Sequence, residues 1–386
     1  MEPYLLDWLN LLVRWAHVIV GIAWIGASFY FIWLDNHLEP AQDPKLAGEL
    51  WAIHGGGFYS ARKFRLAPDR LPATLHWFKW EAYWTWITGF ALLVLMYYAQ
   101  AELYLIDPAV MALSKPAAIA TGLGFMVGGY AIYEGLCRLP LNENVLAAIL
   151  LVLLALAAWG LAKVFSGRGA FIHYGAILGT IMAANVAHII IPGQRRMVEA
   201  VRAGREPDAR DAEMGKQRSV HNTYFTLPVV FTMISNHYAT VFGHRWGWAA
   251  LVAMTAAGAL IRVWFVMRHE GRAPAWVWGL GAALICLAIY LLSPRIHTAA
   301  EKVGFPEVKR VIDTRCVSCH ADKPSFQGLT EAPKGVKLDT AERIRAQRVT
   351  IHQQTVLAKA MPPGNLTAMT DDERALLDRW LRAGER

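Results

Sequence analysis

The chain has 386 residues and a net charge of +8, is 55% hydrophobic and carries only 18% charged residues. A soluble protein of this length carries about 25% charge, so the composition excludes an ordinary soluble domain and points to the lipid bilayer. The positive balance is not a nucleic-acid signal, because the basic residues fall in the loops between apolar stretches.

Eight stretches approach the ~20 apolar residues that cross a bilayer. They run approximately from Leu9 to Trp33, Trp77 to Ala99, Ala117 to Gly135, Val145 to Val164, Phe171 to Ile191, Tyr224 to Val241, Trp246 to Met267 and Pro274 to Leu292. The first is too long for a signal peptide, follows acidic residues and lacks a small-residue cleavage site, so it reads as a retained span. It carries Arg14 and His17. Glu134 ends the third span, and Asn185 and His188 lie in the fifth. Ionisable groups inside a bilayer are costly and are functional candidates by default. The plainer reading of each histidine is a hydrogen bond to a neighbouring helix. Histidines facing one another, with His17 and His188 foremost, could instead hold a haem b or another intramembrane metal. Asn185 and His188 are three apart and share a helix face.

The first loop is long. In His54-Gly55-Gly56-Gly57-Phe58-Tyr59 the glycines allow either close backbone approach to a ligand or a tight turn. Leu75 through Trp86 is dense in aromatics, as at a membrane interface. Lys79 and Glu81 within it are two apart and do not share a helix face. Ser219 through Pro228 brings polar side chains, His221 and Asn222 among them, into the sixth span, which suggests a first turn that lines a cavity.

The C-terminal stretch holds Cys316-Val317-Ser318-Cys319-His320, the attachment signature of a c-type haem. A zinc half-site is the alternative, but close-spaced partners are lacking. Met361, followed by two prolines, is the expected second axial ligand, and Met369 is expected in a hydrophobic contact. A helix is expected from about Phe305 to Thr314. A Thr370–Glu373 capping box should open a last helix carrying Leu376, Leu377 and Trp380 on one face. The fold class is therefore all-α: a polytopic membrane bundle of about eight helices over residues 1–298, then a small helical cytochrome c domain over 299–386.

The tail resembles bacterial c-type cytochromes, whose haem is attached on the periplasmic side. An even number of spans then puts both termini outside the bacterial inner membrane. The loops this makes cytoplasmic carry fifteen Lys and Arg against four in the others, in agreement with the positive-inside rule.

Taken together, Arg14-Trp15-Ala16-His17 with Gly21 through Gly26, His54 through Tyr59, Leu75 through Trp86, His221 through Tyr224, Asn236-His237-Tyr238 and the Cys-x-x-Cys-His motif resemble the bacterial membrane-bound urate oxidases fused to cytochrome c, the urate hydroxylases of the PuuD type. The resemblance implies oxidation of urate to 5-hydroxyisourate, with electrons passed to haem c and on to a soluble cytochrome c or terminal oxidase rather than directly to oxygen. Urate is an anionic purine whose oxidation needs a base, hydrogen-bond donors and an electron acceptor. On this reading His54, Lys79, Glu81, His221 and Asn222 line the substrate site, and Cys316, Cys319, His320 and Met361 hold the haem. The alternative class is another cytochrome-c-fused membrane dehydrogenase or a quinol-linked electron-transfer protein.

Overall fold

The computed structural model describes residues 2–293, 303–357 and 359–383. The boundary placed at 298/299 lies outside them. Helices α1 (Glu2–Asn36), α2 (Trp80–Leu93, continued by a π-helical turn Val94–Tyr98), α4 (Lys115–Cys137), α5 (Glu143–Val164), α6 (Gly167–Ala184), α8 (Ala209–Ser235), α10 (Gly247–His269) and α11 (Ala275–Leu291) coincide with the eight apolar stretches. A short α3 (Ala101–Tyr104) follows α2. A π-helical segment, Asn185–Ile190, joins α6 to α7 (Ile191–Arg202), and α9 (Ala239–Phe242) follows α8. Starts are set by side chains that accept the otherwise orphaned first amides: Ser114 from Ala117, Asn142 from Asn144, Ser166 from Gly169 and Asp208 from Arg210.

Among the described residues, five helical stretches are long and apolar enough to cross a bilayer: Tyr4–Asn36, Lys115–Cys137, Glu143–Val164, Gly167–Arg202 and Gly247–His269. Ala275–Leu291 is apolar but shorter. Large apolar side chains face outward along these helices, as Trp15, Ile22, Val152, Leu156, Trp276 and Ile289 do. A soluble bundle buries such faces, whereas a bilayer solvates them, so the helices are compatible with membrane insertion.

Loop one departs from the all-α expectation. It forms an antiparallel hairpin, β1 (Leu46–His54) with β2 (Gly57–Phe64), in which His54 pairs with Gly57. Gly55 and Gly56 sit at φ +59° and +84°, the left-handed pair that a two-residue hairpin turn requires. Of the two readings of the glycines, the tight turn is the one realised.

After the bundle come α12 (Phe305–Arg315), α13 (Ala341–Ala346), α14 (Arg348–Ile351) and α15 (Asp371–Ala383). They enclose a core of their own, built from Val308, Ile312, Cys316, Leu338, Ile344, Met369, Leu377 and Trp380. The capping box forms: the Thr370 amide donates to Glu373 Oε2 at 2.8 Å, and the Glu373 amide to Thr370 Oγ1 at 3.2 Å. Met369 is buried in this core, as expected of a packing residue.

This segment sits on one end of the bundle. The turn at Pro363–Asn365 meets α3 so closely that a Cβ on Gly364 would lie 2.8–2.9 Å from the carbonyl oxygens of Glu102, Leu103 and Ile106. Gly364 also has φ +54°. Gly364→Ala should therefore loosen the docking by about 1 kcal/mol or more, read as faster amide hydrogen exchange over Glu102–Ile106 with the rest of the bundle unchanged. The same end gathers the loops after α2, α5 and α8: the Ser166 amide bonds Leu105 O at 2.9 Å, and Gly167 packs on Phe242 O. At the opposite end the rings of His37 and His269 are 5.0 Å apart. The two sets of loops that the charge count separates thus lie at opposite ends of the bundle.

Candidate functional site

Arg218, His221 and Asn222 fall at i, i+3 and i+4 on α8 and so share one face. That face meets α4, α5 and the π-helical segment at the end away from Cys316. The Asn222 side-chain amide donates to Met182 O at 3.0 Å, which leaves its Oδ1 to accept from Asn185 Nδ2 at 2.9 Å. Asn185 also donates to the Tyr133 hydroxyl oxygen at 3.0 Å. That hydroxyl lies 2.8 Å from His221 Nδ1, and His221 Nε2 lies 3.2 Å from Glu143 Oε2. Gln217 donates to the other Glu143 oxygen at 2.7 Å. Since the Tyr133 oxygen already accepts from Asn185, its proton points to Nδ1, and Nε2 carries the hydrogen toward Glu143. This assigns His221 as neutral and able to accept a proton through Tyr133.

Arg218 closes the cluster. It is 1% exposed, pairs with Glu134 Oε2 at 2.9 Å and lies 5.0 Å from the Tyr133 ring centroid. Arg138 holds the other Glu134 oxygen at 2.9 Å. Among the described residues Nε and Nη1 of Arg218 and Oδ1 of Asn185 are buried without a hydrogen-bond partner. Buried polar atoms in native proteins are nearly always satisfied, so two donors and one acceptor converging on Tyr133 suit a ligand that carries both an anionic edge and N–H groups. The π-helical segment that places Asn185 is itself a local irregularity of the kind found at functional sites.

The other expected residues are dispersed. His54 is exposed at the hairpin tip, with no contact to this cluster among the described residues. Lys79 precedes α2 with Nζ 5.2 Å from the Trp80 ring. Glu81 lies in the first turn of α2, where a carboxylate favours the helix dipole. Their neighbour Ala82 packs on Val186 and Ile191, beside the π-helical segment. His188 bonds the Tyr130 hydroxyl at 2.8 Å, one turn along α4 from Tyr133, so Asn185 and His188 do face the same helix. His17 is 3.0 Å from Thr88 Oγ1 and lies against Gly89, where a Cβ would meet its ring at 2.9 Å. His17 and His188 thus have separate partners on α2 and α4. No cluster of three or more His, Cys, Asp or Glu suited to a metal occurs among the described residues. Tyr133, Glu143 and Arg218 were not anticipated. The i, i+3, i+4 spacing of Arg218 with His221 and Asn222 was the available signal. His173, also unanticipated, is fully buried between Tyr98 and Phe165.

At the far end, Cys316 and Cys319 are free thiols in the turn that ends α12. His320 Nδ1 lies 2.8 Å from Val336 O. That bond puts the hydrogen on Nδ1 and leaves Nε2 as a lone-pair donor, the tautomer an iron ligand needs. Met361 is half-buried in the docking loop; its carbonyl accepts from Arg374 at 2.9 Å. The residues therefore fit a covalently attached haem with His320 on one side. Between this loop and the bundle lies a cavity of about 370 Å³, lined in part by Tyr104, Asp107, Arg168, Trp248, Lys359 and Asn365. Burial pushes the Asp107 carboxyl above its ordinary value, and the Ala109 amide, Asn365 and Arg374 only partly offset it.

Fold and site together define a helical bundle of membrane type with a buried acid–base network at one end and a Cys-x-x-Cys-His segment at the other. The chain belongs to the urate oxidase N-terminal family, which matches residues 3–293. That span takes in every member of the buried network and stops short of the Cys-x-x-Cys-His segment. No curated protein and no solved structure matches the chain.

Proposed function

We propose that this protein is a membrane-embedded urate oxidase that forms 5-hydroxyisourate and passes the electrons to a covalently bound haem c. The observation that carries the reading is the set of unpartnered buried atoms on Arg218 and Asn185 around the Tyr133–His221 pair. Urate at neutral pH is a planar anion with alternating N–H and C=O groups. Arg218 offers two donors to its anionic edge, Asn185 Oδ1 accepts from a ring N–H, and Asn222 fixes Asn185 by taking one of its donors. His221 receives the released proton through Tyr133. The site is enclosed by the bundle, where fixed charges and dipoles act more strongly than in water. The family match supports urate as substrate.

Cys316 and Cys319 would form the thioethers, and His320 and Met361 would ligate the iron. When bound, the haem supplies a one-electron acceptor that thioether ligation poises at a raised potential. The eight helices that coincide with apolar stretches serve as eight spans in the bacterial inner membrane. Both termini and the haem segment then face the periplasm, where a soluble cytochrome c or a terminal oxidase takes the electrons.

The test is anaerobic addition of urate to the purified protein while haem absorbance is followed. Urate should reduce the haem without oxygen. His221→Ala should slow that reduction at least a hundredfold while the haem stays attached on a denaturing gel. Unchanged reduction in the variant removes His221 from the site.

A further inference from the structure

The buried network has a direction. It starts at Tyr133, 1% exposed, and ends at Glu143, whose side chain is 61% exposed. Every step between them is a hydrogen-bond contact, 2.8 Å to His221 Nδ1 and 3.2 Å from His221 Nε2. When the Tyr133 proton moves to Nδ1, the Nε2 proton can move to Glu143, and Tyr133 is re-protonated from the buried side. Imidazole is suited to this because its two nitrogens exchange donor and acceptor roles. Gln217 holds the Glu143 carboxylate in place, and Cys137 Sγ, 4.0 Å from Nδ1, flanks the path without extending it. Arg218, packed on Tyr133, disfavours a positive charge that lingers on His221, so the proton is driven on toward the carboxylate.

The electron exit lies elsewhere. The segment carrying Cys316, Cys319 and His320 docks through Gly364 on Glu102, Leu103 and Ile106, beyond the start of α4 at Lys115. Tyr133 is eighteen residues from Lys115 on that helix, roughly 27 Å at 1.5 Å per residue. That is nearly the ~30 Å thickness of a hydrocarbon core.

We infer that the protein separates the products of the oxidation along its length: the proton leaves through Tyr133, His221 and Glu143 at one membrane face, and the electrons leave at the opposite face. The inference rests on the proposed urate oxidation. The balance is simple. Urate monoanion and water give neutral 5-hydroxyisourate, one proton and two electrons. The C5–O bond forms with the water oxygen, the proton enters the network, and the electrons pass singly to an external one-electron acceptor on the haem-segment side. A membrane potential positive on that side then pulls both charges in their productive directions, so turnover is coupled to the potential without a pump.

The experiment uses full-length holoprotein in proteoliposomes with the haem segment outward. Urate is on both sides, membrane-impermeant ferricyanide outside and a pH-sensitive dye trapped inside. The expected result is lumenal acidification of one proton per urate in step with ferricyanide reduction. Glu143→Gln should slow that acidification at least tenfold, and Glu143→Asp should restore it to within about threefold of wild type. Acidification of the outer medium instead, with normal ferricyanide reduction, overturns the inference even if Glu143→Gln fails to assemble. If urate reduces no ferricyanide in the wild type, the oxidation itself is wrong and the inference falls with it.

Discussion

Arg218→Leu should be the most damaging single change in the bundle, costing about 3–5 kcal/mol of stability, the range for removing one partner of a buried ion pair. Arg218 is almost fully buried, and Glu134, which it pairs, is 9% exposed. Without Arg218 the Glu134 carboxylate keeps only Arg138, whose own side chain is 71% exposed and so screened by solvent. The variant should melt well below wild type in detergent, and urate-driven haem reduction should fall at least a hundredfold. The double change Arg218→Leu, Glu134→Gln separates the two effects. Removing both charges relieves the unpaired carboxylate, so stability should largely return while activity does not, because the donors proposed for urate are still missing. A single variant that melts like wild type and still oxidises urate would rule out both roles.

The second large effect concerns the C-terminal segment. Changing both Cys316 and Cys319 to Ala should abolish covalent haem, seen as complete loss of haem stain on a denaturing gel. Cys316 is 7% exposed within the core formed with Val308, Ile312 and Leu377. So short a segment buries little surface for its size, and loss of the bound group should leave it partly unfolded. Urate-dependent ferricyanide reduction should drop at least a thousandfold. Urate binding, measured by equilibrium dialysis, should persist, because the family match and the buried network both end before this segment. Persistent urate-driven reduction without haem would instead move the electron exit into the bundle.

The helical bundle was legible because it rests on one-dimensional signals. Long apolar runs, capping residues such as Ser114, Asn142 and Asp208, and the Thr370–Glu373 pair each act over a few residues. The hairpin was missed because its strands carry mixed polar and apolar residues, and the glycine run was equally consistent with a ligand loop. His54 shows the consequence: the turn made by the glycines places it at the exposed hairpin tip, apart from the buried network. His221 and Asn222 were legible as polar residues entering an apolar span. Tyr133 and Glu143 were not, since a tyrosine is ordinary in a span and a glutamate is ordinary at a helix start.

By itself the sequence determined the helices, the Cys-x-x-Cys-His motif near the C-terminus and the two sets of loops, because periodicity, residue spacing and loop charge are local properties. Only the tertiary structure decided which polar residues come together in one hydrogen-bonded network. Asn185, Asn222, Tyr133, His221 and Glu143 come from four elements spread along the chain from residue 133 to residue 222. Helix packing alone sets their hydrogen-bond distances, and no spacing along the chain encodes them. The same packing put this network and the Cys-x-x-Cys-His segment at opposite ends of the bundle.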